Sequence, residues 1–129
     1  MQEIRAHLGA HATSLTLRAT RNDILASNIA NAATPNFKAR DIDFQADFER
    51  LEGVRDDLAT TNDRHLPAMQ PTGPSRMQYR VPLNPSMDGN TVELSVEQMQ
   101  FSENVLRYQT SLALINRKVS GLTSAIKGE

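Results

Sequence analysis

The chain has no cysteine and no tryptophan, and aromatic residues make up only 5% of its 129 positions. Without cysteine there are no disulfides, no thiolate metal sites and no thiol nucleophile, although any compartment remains open. With 39% hydrophobic residues and so few rings, the core must be thin or shared with other chains. Neither sign of charge dominates: 14 basic against 15 acidic side chains give a formal charge of −1. That balance, without a local basic cluster, supplies no field for nucleic acid, which is therefore not an expected partner. No apolar run has the length of a membrane span. Between Met1 and Ala12, the residues Glu3, His7 and His11 interrupt the apolar stretch that a secretory signal needs, so no cleavable signal peptide is expected. Also missing are a glycine-rich phosphate loop, a G-x-S-x-G elbow and a dinucleotide fingerprint, and neither a cofactor nor a small-molecule substrate is expected.

What the chain does have is helical periodicity at both ends. Over residues 3–33, Leu8, Ala12, Leu15, Ala19, Asn22, Ala26 and Ile29 recur in alternating steps of four and three. This heptad spacing predicts one helix seam, shallow because of its alanines, with Asn22 as a polar, register-setting member. The helix should stop before Pro35, because proline pushes its predecessor away from helical geometry. Over 95–127 the same alternation joins Phe101, Val105, Tyr108, Leu112, Ile115, Val119, Leu122 and Ile126. Ser95 and Gln98 read as a capping box, and Gly128 as the C-terminal stop. Two helices of about 45 Å each, with matched heptads, predict an antiparallel coiled coil. Ile24, Leu25, Met99, Leu106 and Leu114 fall outside both seams and offer a further interface.

The middle, 34–94, is loop-rich. Phe44, Phe48, Leu51 and Leu58 predict a short helix over 43–58 that Asp43 caps and Gly53 weakens. The polar, Pro-containing stretch at about 60–76 reads as a mobile loop. Met77, Tyr79, Val81 and Leu83 alternate like a short edge strand, Asp88-Gly89 signals a turn, and Thr91 to Leu94 predicts a second short strand. The chain thus reads as a single mainly α domain, 1–129, with short β segments.

Chemistry has little to work with. His7 and His11 are spaced i, i+4 with Glu3 nearby, but they lack the glutamate beside the first histidine that a zinc-protease helix carries. Solvated helix residues are the better reading, and His65 has no recognisable partner. Asp41 and Asp43 are spaced for acid–base work, but far more often such residues cap helices or form turns. No catalytic or metal residue is assigned, and the chain is not expected to be an enzyme. A helical adaptor and a small metal-dependent enzyme are the alternatives, and neither explains the next feature.

Asn28-Ile29-Ala30-Asn31-Ala32-Ala33-Thr34-Pro35-Asn36-Phe37-Lys38 puts two poor helix formers, Asn28 and Asn31, at a helix end. Their amides are suited to backbone groups where the chain turns, with Phe37 as an anchor beyond. The segment resembles the N-I-A-N-x-x-T-P-G-[FY] signature of bacterial flagellar axial proteins, the rod, hook and hook-associated proteins. Asn36 stands where the family usually has glycine, and asparagine also tolerates left-handed geometry. Ala39 to Phe44 (A-R-D-I-D-F), Leu83 to Glu93 (L-N-P-S-M-D-G-N-T-V-E) and Phe101 to Gln109 (F-S-E-N-V-L-R-Y-Q) are similar to proximal-rod members of that family. The resemblance implies a structural subunit of the proximal rod in the flagellar basal body, within the periplasm. It implies Asn28, Ile29, Ala30, Asn31, Thr34, Pro35 and Phe37 as the motif. It also implies assembly with other copies of itself, with the rod proteins FlgC and FlgF, with FliE, and with the MS ring protein FliF. Export would run through the flagellar export apparatus without a cleaved signal.

Overall fold

The computed structural model describes residues 2–53 and 77–128. The proposed mobile loop at about 60–76, residues 54–58 of the predicted middle helix, His65, and the side chains of Glu3 and His7 lie outside what is described. Helix α1 spans Gln2–Ala30 and helix α3 spans Leu94–Lys127. They run antiparallel, His11 meeting Lys118, Asn22 meeting Asn104 and Asn28 meeting Glu97. Between them come β1 (Arg40–Asp41), α2 (Phe44–Gly53) and β2 (Gln78–Tyr79). The mainly helical class, the long antiparallel pair and the short middle helix follow the sequence reading.

The rotation of the pair differs from that reading. In α3 the buried or half-buried stripe is Glu97, Phe101, Asn104, Tyr108, Ser111, Ile115, Lys118 and Leu122. Phe101, Tyr108, Ile115 and Leu122 are half-buried on this stripe and Val105 is half-buried beside it, whereas Leu112, Val119 and Ile126 are 39%, 47% and 85% exposed. In α1 the seam runs through His11, Ser14, Arg18, Arg21, Leu25 and Asn28, while Leu8, Leu15, Asn22 and Ile29 are half-buried beside it. Ala12 and Ala26 are exposed, and Leu25, placed outside the seam by the sequence, is fully buried. From the apolar maximum of its own sequence α3 is turned by one heptad column, about 50°, and α1 by two, about 100°. Polar pairing accounts for the turn. Asn104 Nδ2 donates to Arg18 O and to Asn22 Oδ1, both at 2.8 Å. A buried amide N–H without such partners is costly, so the rotation that pairs Asn104 Nδ2 prevails over the one that buries most carbon, although Asn104 Oδ1 finds no partner among the described residues.

Three local expectations are also corrected. Helix α1 ends at Ala30 rather than at residue 33, because Asn31 Nδ2 bonds Ser27 O at 2.8 Å and the chain passes into successive turns. Helix α3 begins at Leu94 with Glu93 as N-cap and no side-chain cap bond, so Ser95 and Gln98 form no capping box. The Glu93 carboxylate instead accepts from Asn84 N at 3.2 Å. Thr91 to Leu94 is not a strand; β2 pairs antiparallel with β1, Arg40 opposite Tyr79. Thr91 bonds residues 37–39 without a ladder: its N–H donates to Phe37 O, and its hydroxyl accepts from Ala39 N.

Other details hold. Asp43 Oδ1 accepts from Ala46 N at 3.1 Å, capping α2, and Gly128 closes α3 in left-handed geometry with φ 76°. Helix α2 packs on α1, where the Phe44 and Phe48 rings stack at 6.1 Å and the Arg18 guanidinium lies 4.4 Å from the Phe44 centroid.

Burial is concentrated at one end. Among the described residues the buried apolar side chains are Leu17, Leu25, Ala39 and Ile42, and the buried polar ones are Asn28, Asp47, Asn90, Glu97 and Asn104. No described residue of α3 beyond Asn104, and none of α1 before Leu17, is fully buried. Among the described residues the distal hairpin is a two-helix stalk without a third layer. Its amides in dilute protein should exchange at least about tenfold faster around Ile115 and Leu122 than around Leu25 and Asn104. Native-state hydrogen exchange checks this, and uniform protection along α3 would contradict it.

Candidate functional site

Two segments singled out separately in the sequence meet where α1 ends. Asn90 is 5% exposed, and its Nδ2 donates to Asn31 O at 3.1 Å, Ala32 O at 2.9 Å and Thr34 O at 3.0 Å. These carbonyls have no helical partner because α1 has stopped, and one amide gathers all three. Asn90 Oδ1 accepts from Val92 N at 2.8 Å, which fixes the direction of the amide. Asn36 N donates to Asp88 O at 3.0 Å, and Lys38 Nζ donates to Gly89 O at 2.6 Å. Asn36 and Gly89 both lie in left-handed backbone, with φ 59° and 74°. The asparagine thus takes the geometry for which the motif ordinarily uses glycine. A Cβ on Gly89 would sit 2.5 Å from Asn36 Oδ1, so the 88–91 turn closes directly over the motif.

The motif residues divide into two groups. Asn28 is buried, Ile29, Asn31 and Phe37 are half-buried, and Ala30, Thr34 and Pro35 are exposed. Thr34 Oγ1 donates to Asn31 Oδ1 at 3.2 Å, closing the exit turn. Asn28 Nδ2 donates to Arg40 O at 2.7 Å, and its Oδ1 accepts from Arg40 N at 3.1 Å. One side chain thereby stands in for a neighbouring strand and holds β1 against α1.

Asn28 Nδ2 also reaches Glu97 Oε2 at 3.1 Å, leading into a network of opposed charges. Arg80 donates to Glu97 Oε1 at 2.8 Å, Asp41 Oδ2 at 2.6 Å and Gln100 Oε1 at 2.7 Å. Arg21 binds the same Asp41 carboxylate through both oxygens, at 2.9 and 2.8 Å. Glu97 is fully buried and the Arg80 side chain is 15% exposed, so the pairing is a condition for burying these charges at all. Burial alone would raise the Asp41 carboxyl. The Arg21 hydrogen bonds and charge, the Ile42 N–H and the Arg80 charge outweigh it and hold the carboxyl below its ordinary value. Asp41 and Asp43, read as a possible acid–base pair, thus serve an ion network and a helix cap respectively. His11 lies 2.8 Å from Lys118 Nζ across the hairpin.

The third feature is a surface. In an antiparallel pair, residues one column beyond the seam on each helix share a flank. Here that flank carries Leu8, Leu15, Asn22 and Ile29 with Ala12, Ala19 and Ala26 on α1, and Val105, Leu112, Val119 and Ile126 on α3. Around α3 it continues through Ser102, Gln109, Asn116 and Thr123 to Met99, Leu106 and Ala113, and the one charged residue of these columns is Lys127 in the last turn. Met99 and Leu106 are 63% and 64% exposed, and Leu114 is 44% exposed on the opposite side. Solvent-facing helix surfaces ordinarily carry charge; three adjacent columns with none before the last turn mark an interaction surface.

Sequence reasoning missed Arg21, Arg80, Asn90, Glu97 and Asn104. Asn90 and Asn104 lay inside segments already noted for their resemblance, and Arg21, Arg80 and Glu97 look like ordinary polar residues of amphipathic elements.

The family model described as flagella basal body rod protein matches residues 8–38, which cover most of α1 and its exit. The chain is 59% identical over 129 residues to a flagellar basal body rod protein FlgB of Cereibacter sphaeroides, covering all of both chains. It is 48% identical over 123 residues to FlgB of Aeromonas hydrophila, 94% of this chain and 92% of that one. Against FlgB of Escherichia coli it is 39% identical over 134 residues, 98% of this chain and 97% of that one.

Two outcomes test the geometry. Asn90→Asp, although isosteric, turns an acceptor toward three carbonyl oxygens and should destabilise more than Asn90→Ala, which costs about 1–3 kcal/mol; urea titration followed by circular dichroism ranks them. The depressed Asp41 carboxyl contributes stability that is fully present above its unfolded value near pH 4. That contribution disappears as pH falls through the lower folded value. Asp41→Asn should therefore flatten the acid limb of the stability profile below about pH 4, and an unchanged acid limb would contradict the ion-pair assignment.

Proposed function

The chain belongs to the FlgB family of flagellar basal body rod proteins, structural components of the basal body, and on that footing we propose that it is a subunit of the proximal rod. It polymerises through its terminal helices and transmits torque, so that motility depends on it. The observation that carries this reading is the apolar flank of the hairpin, with Leu112, Val119 and Ile126 facing solvent and left largely uncovered by the described residues. A rod subunit needs such a face because its partners are other subunits. Phe101, Tyr108, Ile115 and Leu122 join α3 to α1 within the subunit. Leu8, Leu15, Asn22, Ile29, Val105, Leu112, Val119 and Ile126 form the face that neighbouring subunits cover. The neighbours are further copies of the chain, FlgC, FlgF and FliE, with FliF at the base, and the place of work is the periplasmic rod. The subunit reaches it through the flagellar export apparatus without a cleaved signal.

The motif has a mechanical role in this reading. The Asn28–Arg40 and Asn90 bonds set the angle at which the middle region leaves the hairpin, and a helical polymer repeats any error in that angle at every interface. The thin core also favours ordering on assembly, when neighbours supply the missing burial.

Separate variants distinguish the seam from the flank. Ile115→Asp or Leu122→Asp buries a carboxylate within the hairpin at a cost of several kcal/mol, lowering both helicity and incorporation into basal bodies. Leu112→Asp or Val119→Asp should leave the helicity of the isolated subunit near that of the parent chain but abolish incorporation and swimming. Lys127→Asp, at the helix end, should be mild in both assays. Quantitative immunoblots of purified basal bodies with swimming assays read this out. Normal incorporation of Val119→Asp would overturn the flank as the assembly face.

A further inference from the structure

The hairpin carries a second apolar surface, unrelated to the flank. Arg80 turns its side chain inward to Glu97, Asp41 and Gln100. Alternate residues of an extended chain point to opposite faces. Tyr79, Val81 and Leu83 accordingly face away from the hairpin, 71%, 86% and 86% exposed, while Met77 lines a pocket on α1 with Thr20, Ile24 and Ser27. Three successive outward positions with no charge form a strip about 13 Å long. Its height along the molecule is set by Arg80, which ties it to the first turns of α3. Arg80 reaches α3 through Glu97 and Gln100, and Gln100 lies on the side of the helix away from Val105 and Leu112. Strip and flank are therefore on opposite sides of the same hairpin.

Opposite placement decides what fits the strip. An open rod is built by one contact repeated without closing, and such a contact joins two different patches of the same subunit. A closed pair would instead use one patch twice. The chain offers one of each: a narrow apolar ridge on one side, and on the other a broad flank whose alanine column, Ala12, Ala19 and Ala26, allows close approach. Resting on the rod reading above, we propose that the Tyr79–Leu83 strip of one subunit docks head to tail on the flank of a second copy of this chain. The Arg80 network is then a positioning device, holding the ridge rigid at the subunit edge. Apart from Lys127 at the far end of the flank, neither partner surface carries charge, so the contact is governed by shape and apolar area and varies little with salt.

The absence of native cysteine makes the test direct. Val81→Cys is combined in turn with Ala26→Cys, Leu112→Cys or Val119→Cys, in cells whose only copy of the protein is the variant. Leu83→Cys replaces Val81→Cys if the latter is not incorporated. Basal bodies are oxidised, and the products are sized on non-reducing gels. Head-to-tail docking gives a ladder in steps of 14.3 kDa from at least one double variant, and none from the single variants. The flank position that responds reads the axial stagger between copies. Dimers from Val81→Cys alone would mean that the strip pairs with itself and would overturn the proposal. So would a product whose mass is not a multiple of the subunit, a fast-running internally linked monomer, or incorporation without any cross-link. Failure of the parent chain to enter basal bodies would instead overturn the rod reading.

Discussion

The pairing of Glu97 with Arg80 and Asn28 is the constraint on which the rest of this structure depends. A fully buried carboxylate is tolerated only when a cation and further hydrogen bonds compensate it. Those partners come from helix α1, from the residue just after β2 and, through Asp41, from β1. Satisfying one charge therefore fixes the mutual position of four chain segments. Arg21 completes the set, so that two arginines face two carboxylates around Gln100. Such a network adds little net stability compared with an apolar core of equal volume. It rejects other arrangements, because sliding any segment would strand a buried charge. A subunit that must present a defined angle to its neighbours gains from that specificity.

The same economy of apolar contact explains the bare hairpin. Four apolar residues are fully buried among those described, all near the network, and the distal helices hold each other by one seam. That seam alternates large side chains with Asn104, Ser111 and Lys118. The apolar column that would have deepened it, Val105 to Ile126, is turned to the flank, where the proposed assembly would cover it. Surface unused within the subunit is the material from which a polymer is made, at the expense of independence before assembly.

The N-I-A-N-x-x-T-P segment also acquires a division of labour. Asn28 serves the inside, holding β1 and the network. Asn31 and Thr34 shape the turn, and their carbonyls wait for Asn90 from a segment 56 to 59 residues away. Asn36, in left-handed backbone, brings the chain under the turn at Gly89. The two motif stretches are thus halves of one joint.

The sequence by itself determined the element types, the antiparallel pairing, the cap at Asp43 and the stop at Gly128, because these depend on local periodicity, side chains within a few residues and backbone preference. The family likewise showed in a contiguous motif. Only the tertiary structure decided how the two helices are rotated, that Leu25 lies inside while Leu112 and Ala26 lie outside, and that Thr91 bonds residues 37–39 instead of forming a strand. Heptad spacing locates the apolar maximum of a helix but not which partner covers it, and in a polymer subunit part of that maximum belongs to another chain. The buried polar pairs that select the rotation, Asn22 with Asn104 and Glu97 with Arg80, join residues 82 and 17 positions apart. No local pattern distinguishes such residues from solvated ones, and their partners exist only once the chain has folded.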